Sequence, residues 1–206
     1  MRGWGVIDRS GNFVIAPEYS HVSFFSDDSY LVEKNNKYMF IDKNGKTLFT
    51  VKDQTGKPLN PKLTLRGDEY LYDTIDCWGE GLGLIEIGHG DNINELGKFG
   101  FIDTKGTVVI APQFDLLRCF SEGRAAFGGW IEVKYKDENG NEETRQEWKW
   151  GYIDSSGNIV IEPKFEDAGY FDQGIARVTV GDYYPEHKSA IGYIDREGNY
   201  VWEPTK

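Results

Sequence analysis

The chain has few cysteines, few prolines and no long apolar run, and each shortage excludes a class of protein. Two cysteines in 206 residues, Cys77 and Cys119, are too few for a disulfide framework or a cysteine zinc site. With only 7 prolines, no Pro-rich linker divides the chain. No stretch approaches the roughly 18 apolar residues of a membrane helix, and residues 1–20 lack the pattern of a signal peptide. We therefore expect no membrane span and a cytoplasmic location.

Basic residues and chemistry-bearing motifs are also scarce. Lys and Arg number 23 against 34 Asp and Glu, giving a net charge of −11 that repels phosphate backbones and argues against general nucleic-acid binding. The 3 histidines are far apart and lack metal-ligand spacing. Neither a P-loop nor a Gly-x-Ser-x-Gly elbow occurs. We expect no metal, no cofactor and no catalytic residues.

Glycine, by contrast, is abundant and ordered. Many of the 25 glycines belong to a pattern that occurs five times, in which an aromatic or large apolar residue, Gly, an aromatic residue or Val, Ile and Asp precede x-x-Gly. One copy, at residue 39, has lost its first glycine. Repetition on this scale indicates a repeat protein. The aspartates of the five copies are Asp8, Asp42, Asp103, Asp154 and Asp195.

A second signature lies between the copies and is clearest at residues 119–127 and 170–178. Each copy of the first pattern is short, aromatic and β-branched, and ends in Asp-x-x-Gly, which is typical of a tight hairpin with glycine at positive φ. A proline nine residues after the Asp is expected at a strand end or a sheet edge. Each unit is therefore predicted to be a three-stranded meander. The predicted fold class is all-β, with tandem meander repeats stacked into a solenoid-, barrel- or propeller-like array and almost no helix.

These motifs resemble the bacterial WG-repeat family, also called KWG repeats. The resemblance rests on Lys149-Trp150-Gly151-Tyr152-Ile153-Asp154, Ile161-Glu162-Pro163-Lys164-Phe165 and Phe171-Asp172-Gln173-Gly174-Ile175-Ala176. It weakens at 38–85, where Met39 replaces glycine. The resemblance implies an all-β interaction module in a bacterial setting, often fused to other domains, with no catalytic motif to transfer. The prediction is one array over residues 1–206, with five repeats at about 4–33, 38–87, 99–135, 150–180 and 191–204 and insertions near 54–71, 88–97, 128–147 and 181–188.

The leading functional hypothesis is a non-catalytic scaffold for protein–protein interaction. Three of the four insertions extend the same connection, and insertions on one side of a repeat array often form its binding face. The partner would be a protein or another domain of a longer native chain. The alternative is a cell-surface carbohydrate or cell-wall binder with aromatic platforms, and an enzyme comes third. The candidate binding residues, which lie in these insertions or directly beside them, are His89, Trp130, Trp148, Tyr183, Tyr184 and His187.

Plain structural roles compete with each of these functional ones. Trp4 and Trp150 share a repeat position with other large apolar residues, so we expect them in the core. The repeat aspartates are expected to cap turns rather than bind a cation. Both cysteines are expected to be buried thiols. Trp130 and Trp148 could simply clasp each other across a hairpin closed at Asn139-Gly140.

Overall fold

The computed structural model describes most of the chain as β-structure. The residues it describes are 3–26, 29–35, 37–49, 55, 78–87, 97–137, 139–181 and 189–205. They form eighteen strands and contain no helix, which confirms the all-β prediction. It follows that the described part of the chain holds no helix capable of crossing a membrane.

The strands form five antiparallel sheets in which consecutive strands are neighbours. The first sheet contains β1 (Trp4–Ile7) and β2 (Phe13–Tyr19). The second contains β3 (His21–Ser26), β4 (Ser29–Lys34), β5 (Lys37–Asp42) and β6 (Thr47–Phe49). The third contains β7 (Trp78–Gly79), β8 (Leu82–Ile87), β9 (Lys98–Asp103) and β10 (Val108–Phe114).

The last two sheets also have four strands each. The fourth contains β11 (Leu116–Leu117), β12 (Ala125–Lys136), β13 (Glu142–Ile153) and β14 (Ile159–Phe165). The fifth contains β15 (Asp167–Asp172), β16 (Ile175–Val180), β17 (Ala190–Ile194) and β18 (Tyr200–Thr205). The chain divides into two compact units, Met1–Gln113 and Phe114–Lys206, and the fourth and fifth sheets belong to the second.

Each complete sheet has four strands, one more than the sequence predicts for a repeat. The additional strand is the first of each sheet, represented by the short β7 and β11 and by β15. Asp167, Gly169 and Asp172 give β15 a composition that disfavours strands, so the sequence pattern does not reveal it. A sheet therefore combines the second signature of one repeat with the motif strands of the next.

A single residue joins each sheet to the next wherever the joint is described. Ser20, Asp115 and Glu166 are these joints. The amide of Ser20 donates to the Glu33 carbonyl at 2.8 Å, and the amide of Glu166 donates to the Thr179 carbonyl at 2.8 Å. These bonds hold the start of the second and fifth sheets, where the chain passes from one sheet into the next without a loop.

The Asp-x-x-Gly turns have the predicted chemistry. At Asp154 the carboxylate accepts from the amides of Ser156 and Asn158, both at 2.9 Å, and the Gly157 amide donates to the Asp154 carbonyl. The five motif glycines have φ between 78° and 85°, the left-handed region that glycine tolerates. Turn capping by aspartate is confirmed at Asp8, Asp42, Asp103, Asp154 and Asp195.

The second signature forms a different, two-residue turn. Glu80, Glu122 and Gln173 have φ of 55°, 52° and 51°, and the glycine after each one is also at positive φ. Two successive residues at positive φ are typical of the type I′ turn, whose twist matches that of a hairpin. This turn joins the first and second strands of the sheet, which explains the glycine of the second signature.

In each unit, a core cluster lies between two successive sheets. In the second unit, Tyr152 and Ile161 of the fourth sheet are buried in one cluster with Ala168, Phe171 and other residues of the fifth. In the first unit, Ile15 and Tyr19 share a cluster with residues of the second sheet. The predicted edge position of the prolines is confirmed, because Pro17, Pro112, Pro163 and Pro204 lie in the outermost strands β2, β10, β14 and β18.

Candidate functional site

Of the six predicted binding residues, two lie within the described structure. Trp130 is in β12 and Trp148 is in β13, directly opposite each other. The other four lie outside the described residues, and so do most of the insertions that contain them. The expected convergence of three insertions on one side of the scaffold therefore stays a prediction. The four residues concerned are His89, Tyr183, Tyr184 and His187.

The insertion at 128–147 is a long antiparallel hairpin. Strands β12 and β13 pair without interruption from Ala125↔Ile153 to Lys136↔Glu142. Their outer neighbours are shorter, since β11 pairs with β12 only as far as Gly128 and β14 pairs with β13 only from Trp150. Residues 129–149, which we call the arm, thus form a two-stranded ribbon, and no described strand pairs with either of its outer edges.

The tip of the arm repeats the turn chemistry of the motif. Asp137 accepts from the amides of Asn139 at 2.9 Å and Asn141 at 2.8 Å, and Gly140 has φ of 85°. The hairpin predicted at Asn139-Gly140 is confirmed. Its turn, however, is built on the Asp137 carboxylate, whose pKa is lowered first by the Asn141 side-chain amide.

Three tryptophans connect the core to the surface along one face of the arm. Trp150 is buried, Trp148 is half-buried, and Trp130 is 62% exposed. Trp148 meets Trp150 edge to face with ring centroids 6.4 Å apart, and it meets Trp130 in the same manner at 5.5 Å. The arm therefore exposes the indole ring of Trp130, and contact with Trp148 fixes the orientation of that ring.

Gly128 provides the space for the middle ring. A β-carbon at this position would lie only 2.6 Å from Cζ2 of Trp148, whereas at the adjacent Gly129 the nearest atom would be 3.6 Å away. Gly128 is thus required by the close approach of the Trp148 ring. The sequence shows two glycines here and does not reveal which of them the ring needs.

The opposite face of the arm carries a chain of ion pairs. Glu147 pairs with Arg145 at 2.5 Å and with Lys149 at 2.8 Å, and Lys149 also pairs with Glu166, the joint residue before β15. Hydrogen bonding from Lys149 lowers the pKa of Glu147. Burial alone would lower the pKa of Lys149, but its bonds to Glu147 and Glu166 raise it. These partly buried pairs fix the base of the arm against the following sheet.

An aromatic contact continues this face towards the tip. The Arg145 guanidinium lies over the Tyr135 ring, 5.3 Å from its centroid, and the Tyr135 hydroxyl bonds Glu143 at 3.2 Å. Each contact joins β12 to β13. Both faces of the arm therefore carry cross-strand contacts, which hold the ribbon together where it has no neighbouring strand.

Family comparison assigns the repeat. Residues 4–38, 99–127 and 150–184 match the family model for the WG containing repeat. The chain contains WG repeats. No curated protein matches it. The matched regions cover three WG repeats, and the turns at Asp42 and Asp195 show the same geometry in the two remaining copies.

The two tryptophans that begin WG repeats, Trp4 and Trp150, differ in burial. Trp150 is buried in the core cluster, as expected, with the Arg118 guanidinium 4.4 Å from its ring centroid. The expectation is wrong for Trp4, which is 61% exposed. The first sheet contains only the two motif strands, so β1 lacks the neighbouring strand that β12 supplies to β13. Burial of a WG tryptophan depends on the preceding repeat.

An open cleft lies between the turns of the fourth and fifth sheets. It measures about 520 Å³ and is lined by residues that include Glu122, Asp195 and Arg196. Two of its carboxylates, those of Glu122 and Asp195, have structural partners. Glu122 accepts from Arg196 at 2.7 Å, the main cause of its lowered pKa, and Asp195 caps its own turn. In the part of the chain described, no group of three or more His, Cys, Asp or Glu side chains is placed to hold a metal.

The cysteine expectation is corrected at one position. Cys119 is half-buried and disulfide-bonded, so it is not the free thiol that the sequence suggests. Hydrophobic residues occupy the same position in other repeats, and this pattern does not indicate which side chains approach the sulfur. Cys77 lies outside the described residues.

Proposed function

We propose that this WG-repeat chain is a non-catalytic scaffold that binds a partner protein through the arm, with Trp130 as the central contact. The observation that carries the proposal is an exposed indole, Trp130, that packs edge to face on Trp148, which in turn packs on the buried Trp150. Tryptophan is enriched among the few residues that dominate protein interfaces. A contact that is already oriented loses little entropy on binding.

The edges of the arm offer a second means of recognition. Beyond Gly128 on β12 and before Trp150 on β13, the backbone groups that point outward have no described strand beside them. An extended segment of a partner could add to either edge through main-chain hydrogen bonds, while Trp130 selects a side chain. Charged side chains along the arm, among them Glu132, Lys134 and Lys136, limit indiscriminate edge pairing.

The test compares two variants of the arm with a matched control. Partners captured from lysate are identified, purified and measured by calorimetry against wild type, Trp130→Ala and an arm in which Asn-Gly replaces 134–144. Val133 pairs directly with Arg145, so a two-residue turn fits there. The control is Phe13→Ala, which removes a similarly exposed aromatic side chain from the first sheet.

We expect Trp130→Ala to raise Kd at least tenfold, which corresponds to about 1.4 kcal/mol. The shortened arm should weaken binding further, and Phe13→Ala should leave Kd unchanged. If both arm variants remain folded and bind every identified partner with wild-type Kd, the proposal is wrong. The melting temperature of the shortened variant, which we expect to stay near that of wild type, checks folding.

A carbohydrate ligand is the second candidate. The observation in its favour is that Glu132 and Gln146 form the next pair on the face that carries Trp130, so polar groups flank an exposed ring. Aromatic rings of this kind stack on sugars, and neighbouring polar groups bind hydroxyls. Saturable binding of a defined polysaccharide that disappears in Trp130→Ala, with no protein partner bound, would favour this candidate over the first.

A further inference from the structure

The fifth sheet exposes an apolar face that the fourth sheet buries. Tyr152 and its partner Ile161 are 1% and 4% exposed in the fourth sheet. The equivalent pair one repeat later, Tyr193 and Trp202, is 38% and 60% exposed. Ile191, two residues before Tyr193, is also exposed. We call Ile191, Tyr193 and Trp202 the terminal face.

The fourth sheet shows what kind of structure covers this face. The hairpin of β15 and β16 lies over Tyr152, whose hydroxyl donates to the Gly169 carbonyl at 2.9 Å and whose ring meets Phe171 at 5.0 Å. Burial raises the pKa of Tyr152, so its hydroxyl remains a donor. Ala168 and Ala176 of the hairpin are fully buried in the same cluster. A hairpin with small and aromatic residues on its inner side is therefore the natural cover.

Polar contacts fasten this covering hairpin to the fourth sheet. The Ser121 hydroxyl donates to the Phe171 carbonyl at 2.6 Å, and the Glu122 carboxylate accepts from the Gly174 amide at 2.8 Å. Both Ser121 and Glu122 belong to the type I′ turn region of the second signature. They bind backbone groups of the hairpin, so they would recognise any hairpin of the same shape.

The fifth sheet lacks a serine hydroxyl and a glutamate carboxylate at the equivalent positions. Asp172 and Gln173 occupy the places of Ser121 and Glu122, and both are exposed. A carboxylate cannot donate to a carbonyl oxygen as the serine hydroxyl does, and a neutral amide is a weaker acceptor than a carboxylate. The terminal face thus keeps the apolar surface and loses the bonds that make the internal contact permanent, which suits a reversible contact.

We propose that the terminal face is a docking site for a β-hairpin of another protein chain. The hairpin would alternate small and aromatic residues on its inner side, as β15 and β16 do, and would carry Lys or Arg opposite Asp172. Continuity with the internal contact between the fourth and fifth sheets specifies the shape of the partner. Asp172 occupies the position that the donor Ser121 has in the fourth sheet. Its negative charge therefore favours a partner hairpin with a positive charge.

The probe is a peptide of residues 165–181, closed by a disulfide between cysteines added at its ends because an isolated hairpin is only marginally stable. Asp167 pairs with Thr179, so the ends of this segment lie close together. Two versions are compared, one with the native sequence and one carrying Asp172→Lys. Binding is followed by tryptophan fluorescence and by amide chemical shifts of the full chain.

We expect the Asp172→Lys peptide to bind at least tenfold more tightly than the native peptide. Trp202→Ala in the protein should weaken binding at least tenfold, whereas Trp130→Ala should not affect it, which separates this site from the arm. The protein variant Asp172→Ser with Gln173→Glu restores the chemistry of the fourth sheet. It should gain affinity for the native peptide and lose its preference for the lysine version.

Three results would overturn the proposal. The first is that neither peptide shows Trp202-dependent binding at millimolar concentration. The second is that the protein alone self-associates and Trp202→Ala abolishes this, which would make a second copy the occupant. The third is that the hairpin buries Trp202 only when it is appended after Lys206, which would assign the face to a further repeat of the same chain.

Discussion

A β-carbon at Gly151 would lie 2.4 Å from the carbonyl oxygen of Ile161 and 2.8 Å from the nitrogen of Pro163. Gly5 and Gly100 meet the equivalent backbone atoms of their own repeats at 2.5 Å and 2.4 Å. In the fourth sheet this approach coincides with a register shift between Trp150 and Tyr152. The glycine of the WG motif is thus required by the contact of two backbones within the sheet.

The first prediction is that Gly151→Ala destabilises the chain by about 1–3 kcal/mol, because backbone atoms must move to admit a methyl group. Gly192→Ala is the matched control at the same repeat position. There the nearest atoms are Cγ of Pro204 and Cε1 of Tyr200, both at 3.0 Å and both in side chains, and we expect a smaller loss. Urea unfolding measures both free energies. An equal or smaller cost at Gly151 would contradict the steric explanation.

The second prediction compares the motif isoleucines at two repeats. Ile153 is 0% exposed and Ile7 is 60% exposed, although they occupy the same repeat position. Ile153→Ala should cost about 2–5 kcal/mol by leaving a cavity in the core. Ile7→Ala should cost less than about 0.5 kcal/mol, as is usual for surface positions. A loss below about 1 kcal/mol at Ile153 would argue against a shared core there.

The third prediction concerns the two glycines at the base of the arm. Gly128→Ala should displace the Trp148 ring and destabilise the chain, whereas Gly129→Ala should have little effect because its nearest neighbour is in ordinary contact. Near-ultraviolet circular dichroism should report the loss of the tryptophan contacts in Gly128→Ala alone. Similar spectra for the two variants would mean that the ring does not depend on Gly128.

The fourth prediction concerns acid stability. The pKa of Asp8 and Asp42 is lowered mainly by backbone hydrogen bonds, from Asn12 and Lys46, and that of Asp195 mainly by the side chain of Asn199. A carboxyl whose folded pKa lies below its unfolded value stabilises the fold above about pH 4, and this contribution is lost as pH falls through the folded pKa.

The urea midpoint of the wild type should therefore decrease as the pH falls below about 4. The triple variant Asp8→Asn, Asp42→Asn, Asp195→Asn should be less stable than the wild type at pH 7. Its stability should also depend less on pH below about pH 4. Parallel pH profiles for the two proteins would show that these turns do not contribute to acid sensitivity.

Local chemistry made the turns and strands predictable. Asp154 and Gly157 form their turn from residues within five positions, so the pattern alone is sufficient. The sequence pattern does not reveal strand β15, because its aspartates and glycine have low strand propensity and pairing with β16 overrides that preference. Trp4 was placed in the core by analogy with Trp150, whereas its burial depends on strands that the first sheet does not contain.

The candidate site was only partly predictable. The Asn139-Gly140 signal indicates the hairpin, and the tryptophans at 130 and 148 are visible in the sequence. Their alignment with Trp150 depends on the cross-strand register from Ala125↔Ile153 outward, and no short-range pattern encodes that register. The terminal face was not predicted either, because only comparison with the covered face of the fourth sheet distinguishes it.

The single-residue joints have a consequence for cutting and recombining the chain. A truncation placed before Trp150, where a WG repeat begins, would cut β13 and leave β11 and β12 without residues 150–153 of that strand and without β14. A cut at Glu166 would instead fall between complete sheets. Because every four-stranded sheet contains strands from two successive repeats, removal of one repeat damages two sheets, and cooperative unfolding is expected to involve blocks larger than a single repeat.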